Sequence, residues 1–161
     1  MPLIKIVDAF KKCKTYCRRH DLRTSFHPDQ FILLSSPKPE VTFRSIADLR
    51  YQAEVAEWVG ADVINIHAGG AYGNKKEALT RLARQIRSLP QNVRRRLTLE
   101  NDDVSYTVND LLPVCQNLAV PLVYDVHHHR CNPDELTVEE ATLRVMKTWQ
   151  ALGREPYFHI S

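Results

Sequence analysis

The sequence predicts part of a parallel (β/α)8 TIM barrel with about five strands and outer helices, and three observations carry that prediction. Short apolar or β-branched segments alternate with long amphipathic ones. Five of the short segments end in His, Glu or Asp, and those ends recur at a nearly even pitch. Strands this apolar between helices indicate a parallel sheet covered by helices on its faces.

The elements follow in order. Met1 to Asp21 reads as an amphipathic helix, with Ile4, Val7, Phe10, Cys13 and Cys17 near helical spacing and basic residues opposite. Arg23 to His27 is a short strand stopped by Pro28, which cannot donate to a ladder. After a loop from Asp29 to Glu40, Thr42 to Val59 forms a helix with Ile46, Leu49, Ala53, Ala56 and Val59 on one stripe. Gly60 closes it as a C-cap. Asp62 to His67 is a strand, Gly69-Gly70 a turn, and Asn74 to Leu89 a helix stopped by Pro90. Arg96 to Glu100 is a strand, Thr107 to Leu118 a helix and Pro121 to Val126 a strand. Thr137 and Glu140 form a capping box that opens a helix to Leu152, and Tyr157 to Ile160 is the last strand.

The five strand ends are His27, His67, Glu100, Asp125 and His159, separated by 40, 33, 25 and 34 residues. A (β/α)8 barrel of about 250 residues allots roughly 31 residues to each unit. The match favours a barrel over an open doubly wound sheet, and no GxGxxG opens any helix. Residues 1–161 are therefore expected to be a single domain, an incomplete barrel whose remaining strands would lie before Met1 and after Ser161.

Composition narrows the class. Apolar residues are 43% of the 161, charged residues 25%, and the net charge is only +3, values of an ordinary globular chain that neither demand nor exclude a polyanionic partner. Cys13, Cys17, Cys115 and Cys131 show no disulfide framework and no CxxC, which suits reduced thiols and a cytoplasmic location. No apolar run approaches the roughly 20 residues of a membrane span, so no membrane association is expected.

Active sites of such barrels are built at the carboxyl ends of the strands. One histidine there is most simply a hydrogen-bonded loop residue. Five successive ends bearing His, Glu or Asp are different, because ionisable groups on apolar strands are costly unless they pair with each other or with a metal. These residue types bind Zn²⁺ or Mn²⁺. Glu100, on the central strand, can bridge two ions. Asn101 and Asp102 are expected to cap the next helix or orient a ligand, and Asp103 to be solvated. In Asp125-Val126-His127-His128-His129 the chain is leaving a strand, so Asp125 and His128, three apart, can each reach a different ion; a solvated histidine loop is the bland alternative.

Five motifs, in order, resemble the UV-damage endonuclease family: HPDQF (His27 to Phe31), HAGGAYGNK (His67 to Lys75), LPQNVRRRLTLENDD (Leu89 to Asp103), PLVYDVHHHRCN (Pro121 to Asn132) and HIS (His159 to Ser161). The resemblance implies a metal-cluster TIM barrel similar to endonuclease IV, which nicks damaged double-stranded DNA immediately 5′ of a lesion. It implies His27, His67 and Glu100 as ligands of one divalent ion, Glu100, Asp125 and His159 of a second, and His128 of a third. Mn²⁺ is the expected ion, with Zn²⁺, Mg²⁺ or Co²⁺ as alternatives. Glu100, His67 and Asp125 are the expected catalytic residues. Gln30 and Phe31 match a Gln-Tyr pair that wedges into the duplex, and Lys75 falls where a phosphate contact is expected. Tyr157 stands where the family commonly has a lysine.

Arg94-Arg95-Arg96 precede a strand and read as a solvated run on the opposite face, as do Lys11, Lys12, Lys14, Arg18 and Arg19 on the first helix. His20 reads as surface. Unpaired sheet edges are expected to promote self-association. Two other functions fit the same residues: a sugar isomerase or epimerase with similar metal chemistry, and an inactive fragment that binds metal or DNA weakly.

Overall fold

Five strands pair in chain order, and every pair is parallel. In the computed structural model, which describes residues 2–160, they are β1 (Ser25–Phe26), β2 (Val63–His67), β3 (Leu97–Glu100), β4 (Leu122–Asp125) and β5 (Phe158–His159). Helices connect them: α1 (Pro2–Arg19) before β1, α2 (Pro39–Val59), α3 (Lys75–Ser88), α4 (Gln91–Arg94), α5 (Val108–Leu118), α6 (Val126–Cys131) and α7 (Val138–Gln150). The arrangement is half of a (β/α) barrel. Met1, expected to begin the first helix, and Ser161, expected to end the last motif, lie outside the described residues.

Strand alternation explains the layering. In β3, Leu97 and Leu99 alternate with Thr98 and Glu100, and in β2, Ile64 and Ile66 alternate with Asn65 and His67. The apolar set packs under Leu49, Ala53 and Ala56 of α2, Leu82 and Ile86 of α3, Leu111 and Cys115 of α5, and Val145 and Trp149 of α7. The polar set is left for the concave face, where the site forms. Trp149 is fully buried and its indole N–H donates to the Leu122 carbonyl at 2.6 Å, so the burial leaves no orphan donor.

The helix boundaries follow from caps. Gly60 ends α2 in the left-handed region, φ 82°, and its N–H bonds the Ala56 carbonyl. Asn74 caps α3 by accepting from the Glu77 N–H, and Thr107 and Thr137 open α5 and α7 with complete capping boxes.

Three expectations need correcting. Pro90 does stop α3, but it also caps a short helix, α4, for which four residues carry too little periodicity to read. The strand expected from Pro121 to Val126 ends at Asp125, whose carboxylate caps α6, so the histidine run turns helical at once. Arg96 is buried, not solvated. Its guanidinium donates to the Ala61 and Asn92 carbonyls and to Glu57, and so satisfies backbone acceptors at the amino ends of the strands.

Candidate metal centre

Strand register assembles the site. The β2–β3 ladder places His67 beside Glu100 and Asn65 beside Thr98, and the β4–β5 ladder places Asp125 beside His159. His27 follows β1 directly and reaches the same edge. All five strand-end residues therefore meet at the carboxyl end of the sheet.

Glu100 is the centre of this cluster and is only 1% exposed. A buried carboxylate needs partners, since its desolvation costs several kcal/mol. Its Oε2 lies 3.1 Å from His27 Nε2 and 3.9 Å from His67 Nε2, and it accepts a hydrogen bond from the Asn65 amide. Its Oε1 lies 3.0 Å from His159 Nδ1 and 3.6 Å from His128 Nδ1. Two triads, His27–Glu100–His159 and His67–Glu100–His128, each hold their donor atoms within 4.8 Å of one another. The split between the carboxylate oxygens pairs His27 with His67, as the resemblance implies, while the triads cross that pairing.

The electrostatics follow from burial and contact. Burial alone would raise the Glu100 carboxyl, but hydrogen bonds from His159 and His27, with the neighbouring imidazole charge, outweigh it and hold the pKa at about 2. The same hydrogen bonds raise His27 and His159 above the usual histidine value. His67 is lowered, because its burial outweighs the attraction of Glu100. The hydrogen bonds from His27 and His159 thus offset the burial of the carboxylate, a task that a divalent ion could also perform.

Backbone carbonyls set the tautomers. His27 Nδ1 lies 3.2 Å from the Pro28 carbonyl and His128 Nδ1 2.9 Å from the Asn101 carbonyl. A carbonyl can only accept, so each Nδ1 carries a proton; in His27 this leaves Nε2, the atom facing Glu100, available to a metal ion, while His128 turns Nδ1 toward both Asn101 and Glu100. The donor set, one buried carboxylate among four imidazoles, fits divalent transition ions.

Asp125 sits at the margin of the cluster, buried, with Oδ1 accepting the His128 N–H at 2.9 Å and Oδ2 4.0 Å from His128 Nδ1. Asn101 does not cap α5. Its amide exchanges two 2.9 Å hydrogen bonds with the Asp125 backbone and clamps the end of β3 to that of β4. Asp102 gathers the N–H groups of Val104, Ser105 and Tyr106 and shapes the next loop, and Asp103 is exposed.

The three histidines have three destinations. His127 is exposed, and His128 joins the cluster. His129 is buried between the Tyr124 hydroxyl, 2.5 Å from Nδ1, and Asp134, 3.3 Å from Nε2. Gln30 and Phe31 are exposed on the β1–α2 loop, Phe31 by 71%, in a turn where the Phe31 N–H bonds Asp29. Lys75, the first residue of α3, forms an ion pair with Asp110 at 2.8 Å. Asn65 and Thr98 escaped the sequence reading; their only signal was polarity two residues before a candidate ligand on the same strand face.

The family model for UV-endonuclease UvdE matches residues 3–161. The chain belongs to the UV-endonuclease UvdE family. It is 44% identical over 148 residues to the UV DNA damage endonuclease of Bacillus velezensis, covering 89% of this chain and 46% of that protein. The chain thus spans about half the length of this UvdE-type relative. The crystal structure of SacUVDE superposes with a TM-score of 0.87 at 31% identity, over 91% of this chain and 51% of that one. Two others share the fold: endonuclease IV from Thermus thermophilus, with a TM-score of 0.66 at 20% identity over 95% of this chain and 57% of that one, and D-psicose 3-epimerase from Clostridium cellulolyticum, with 0.66 at 12% over 92% and 67%.

Tyr157, at the position where the resemblance to the UvdE family implies a lysine, is engaged with Asp62, the residue before β2, and with Arg23. Its hydroxyl donates to Asp62 Oδ1 at 3.1 Å, and the Arg23 guanidinium lies 4.1 Å from its ring centroid. Burial and the Asp62 charge push its pKa to about 12, so it stays neutral.

Proposed function

We propose that the protein is a DNA-repair endonuclease that nicks UV-damaged double-stranded DNA on the 5′ side of the lesion by metal-assisted hydrolysis of a phosphodiester. The observation that carries this reading is the Glu100-centred cluster of His27, His67, His128 and His159, in a chain of the UvdE family. His27, His67, Glu100, Asp125, His128 and His159 would hold divalent ions, Mn²⁺ first among them. Ions in such a site supply Lewis acidity and positive charge for phosphodiester hydrolysis.

The chain's own residues do the rest. Glu100, buried and ionised, supplies the negative charge shared by the ligand set. Asp125 would act beside it, since it shares the β4–β5 rung with His159. Phe31, exposed on the loop that follows His27, offers a ring that can enter a base step, and Gln30 an amide for base edges. A lesion weakens stacking and pairing, which lowers the cost of opening the duplex there. Lys75 would reach phosphate by exchanging its Asp110 partner. A cytoplasmic location belongs to the same proposal, and no helix among the described residues is long and apolar enough to cross a membrane.

The test is a labelled duplex carrying one cyclobutane dimer, incubated with the protein and Mn²⁺. Incision at the phosphate 5′ of the dimer, absent with undamaged duplex, supports the reading. An intact dimer strand together with epimerisation of a ketohexose would replace it with sugar chemistry.

A further inference from the structure

Beneath the ligands lies a second polar layer on the same concave face. In β2 and β3, Asn65 pairs in register with Thr98, two residues before the His67–Glu100 pair. Asn65 is 1% exposed and Thr98 fully buried, so both bring polar atoms into the interior at a cost that only hydrogen bonds offset. The amide's orientation follows by elimination. An ionised carboxylate only accepts, so the group facing Glu100 Oε2 is the Asn65 NH₂. Asn65 Oδ1 then faces Thr98, whose hydroxyl must donate, at 2.8 Å.

We propose that Asn65, locked by Thr98, is the positioning residue of the metal centre, holding Glu100 so that its two oxygens address histidines on opposite sides. The proposal rests on the metal reading above and adds the element that makes one carboxylate serve both sets. Oε2 is pinned between Asn65 and His27. Rotation of the carboxylate would break that bond, so Oε1 stays turned toward His159 and His128. An amide suits the task because it donates without adding charge. A lysine here would neutralise Glu100 and compete with a bound cation, and an aspartate would repel it.

Mn²⁺ affinity is the readout, measured on the chain by loss of the free-ion electron paramagnetic resonance signal, alongside thermal melting without metal. Asn65→Leu should weaken Mn²⁺ binding by about 10 to 100-fold, the usual effect of losing an outer-shell partner. The decisive pair is at Thr98. Thr98→Val keeps the shape and removes the hydroxyl; Thr98→Ser keeps the hydroxyl and removes a methyl. Positioning requires Thr98→Val to bind Mn²⁺ several-fold more weakly while Thr98→Ser stays near wild type. A purely packing role gives the reverse order and overturns the proposal, as does wild-type affinity in Thr98→Val, even if Asn65→Leu fails to fold. A wild type that binds no Mn²⁺ overturns the metal reading and this proposal together; a wild type that binds while all three variants match it overturns this proposal alone.

Discussion

Replacing Glu100 with glutamine removes the charge around which the histidine cluster is organised, and the size of the effect can be worked from the contacts. The carboxyl falls from 4.5 to about 2 on folding. At about 1.4 kcal/mol for each tenfold change in proton affinity, that contributes about 3 kcal/mol of stability. Because the folded value is the lower one, this contribution is present above pH 4.5 and is lost as pH falls toward 2. The raised His27 and His159 act in the opposite sense: their contribution is present below pH 6.5 and is lost as pH rises through their folded values. His67, lowered by burial, offsets part of that second loss. Metal-free wild type should therefore be most stable between about pH 4.5 and 6.5, with a steep acid limb and a shallower basic one. Glu100→Gln should lose about 3 kcal/mol in that window and converge on wild type near pH 2. Urea unfolding in excess chelator at about pH 2.5, 5.5 and 8 measures both. A deficit in Glu100→Gln as large at the most acidic of these as at the middle one would refute the electrostatic reasoning.

Two further outcomes are expected. His129→Ala should cost about 3 kcal/mol of stability, because it leaves the buried Tyr124 hydroxyl and Asp134 without their imidazole, whereas His127→Ala should stay within about 0.5 kcal/mol; paired chemical denaturation distinguishes them. Phe31→Ala should leave the melting temperature unchanged and weaken binding to a dimer-containing duplex by about 1 to 3 kcal/mol, the value of one stacked base, read by fluorescence anisotropy; unchanged anisotropy would remove Phe31 from the DNA surface.

The fold was legible because each strand is short, apolar and closed by a ligand-type residue, so both the sheet and its functional edge could be read together. The least legible parts were those decided by contacts with distant backbone. Arg96 reads as one of three surface arginines, and only the Ala61 and Asn92 carbonyls explain its burial. In the histidine run, neither period two nor 3.6 could assign six residues to α6; the capping carboxylate of Asp125 does so. Adjacent histidines then point about 100° apart, which separates the exposed His127, the clustered His128 and the buried His129. Asn65 and Thr98 were hidden for another reason. A polar residue alternating with isoleucine or leucine looks like the solvent face of a strand, and only barrel curvature turns that face inward.

Whether the strand ends gather divalent ions around Glu100 can be seen in crystals of the chain grown with Mn²⁺ and measured for anomalous scattering. Difference peaks are expected flanking the Glu100 carboxylate, within bonding range of imidazoles among His27, His67, His128 and His159. A map with no peak beside Glu100, with the ions elsewhere on the protein, would contradict that expectation.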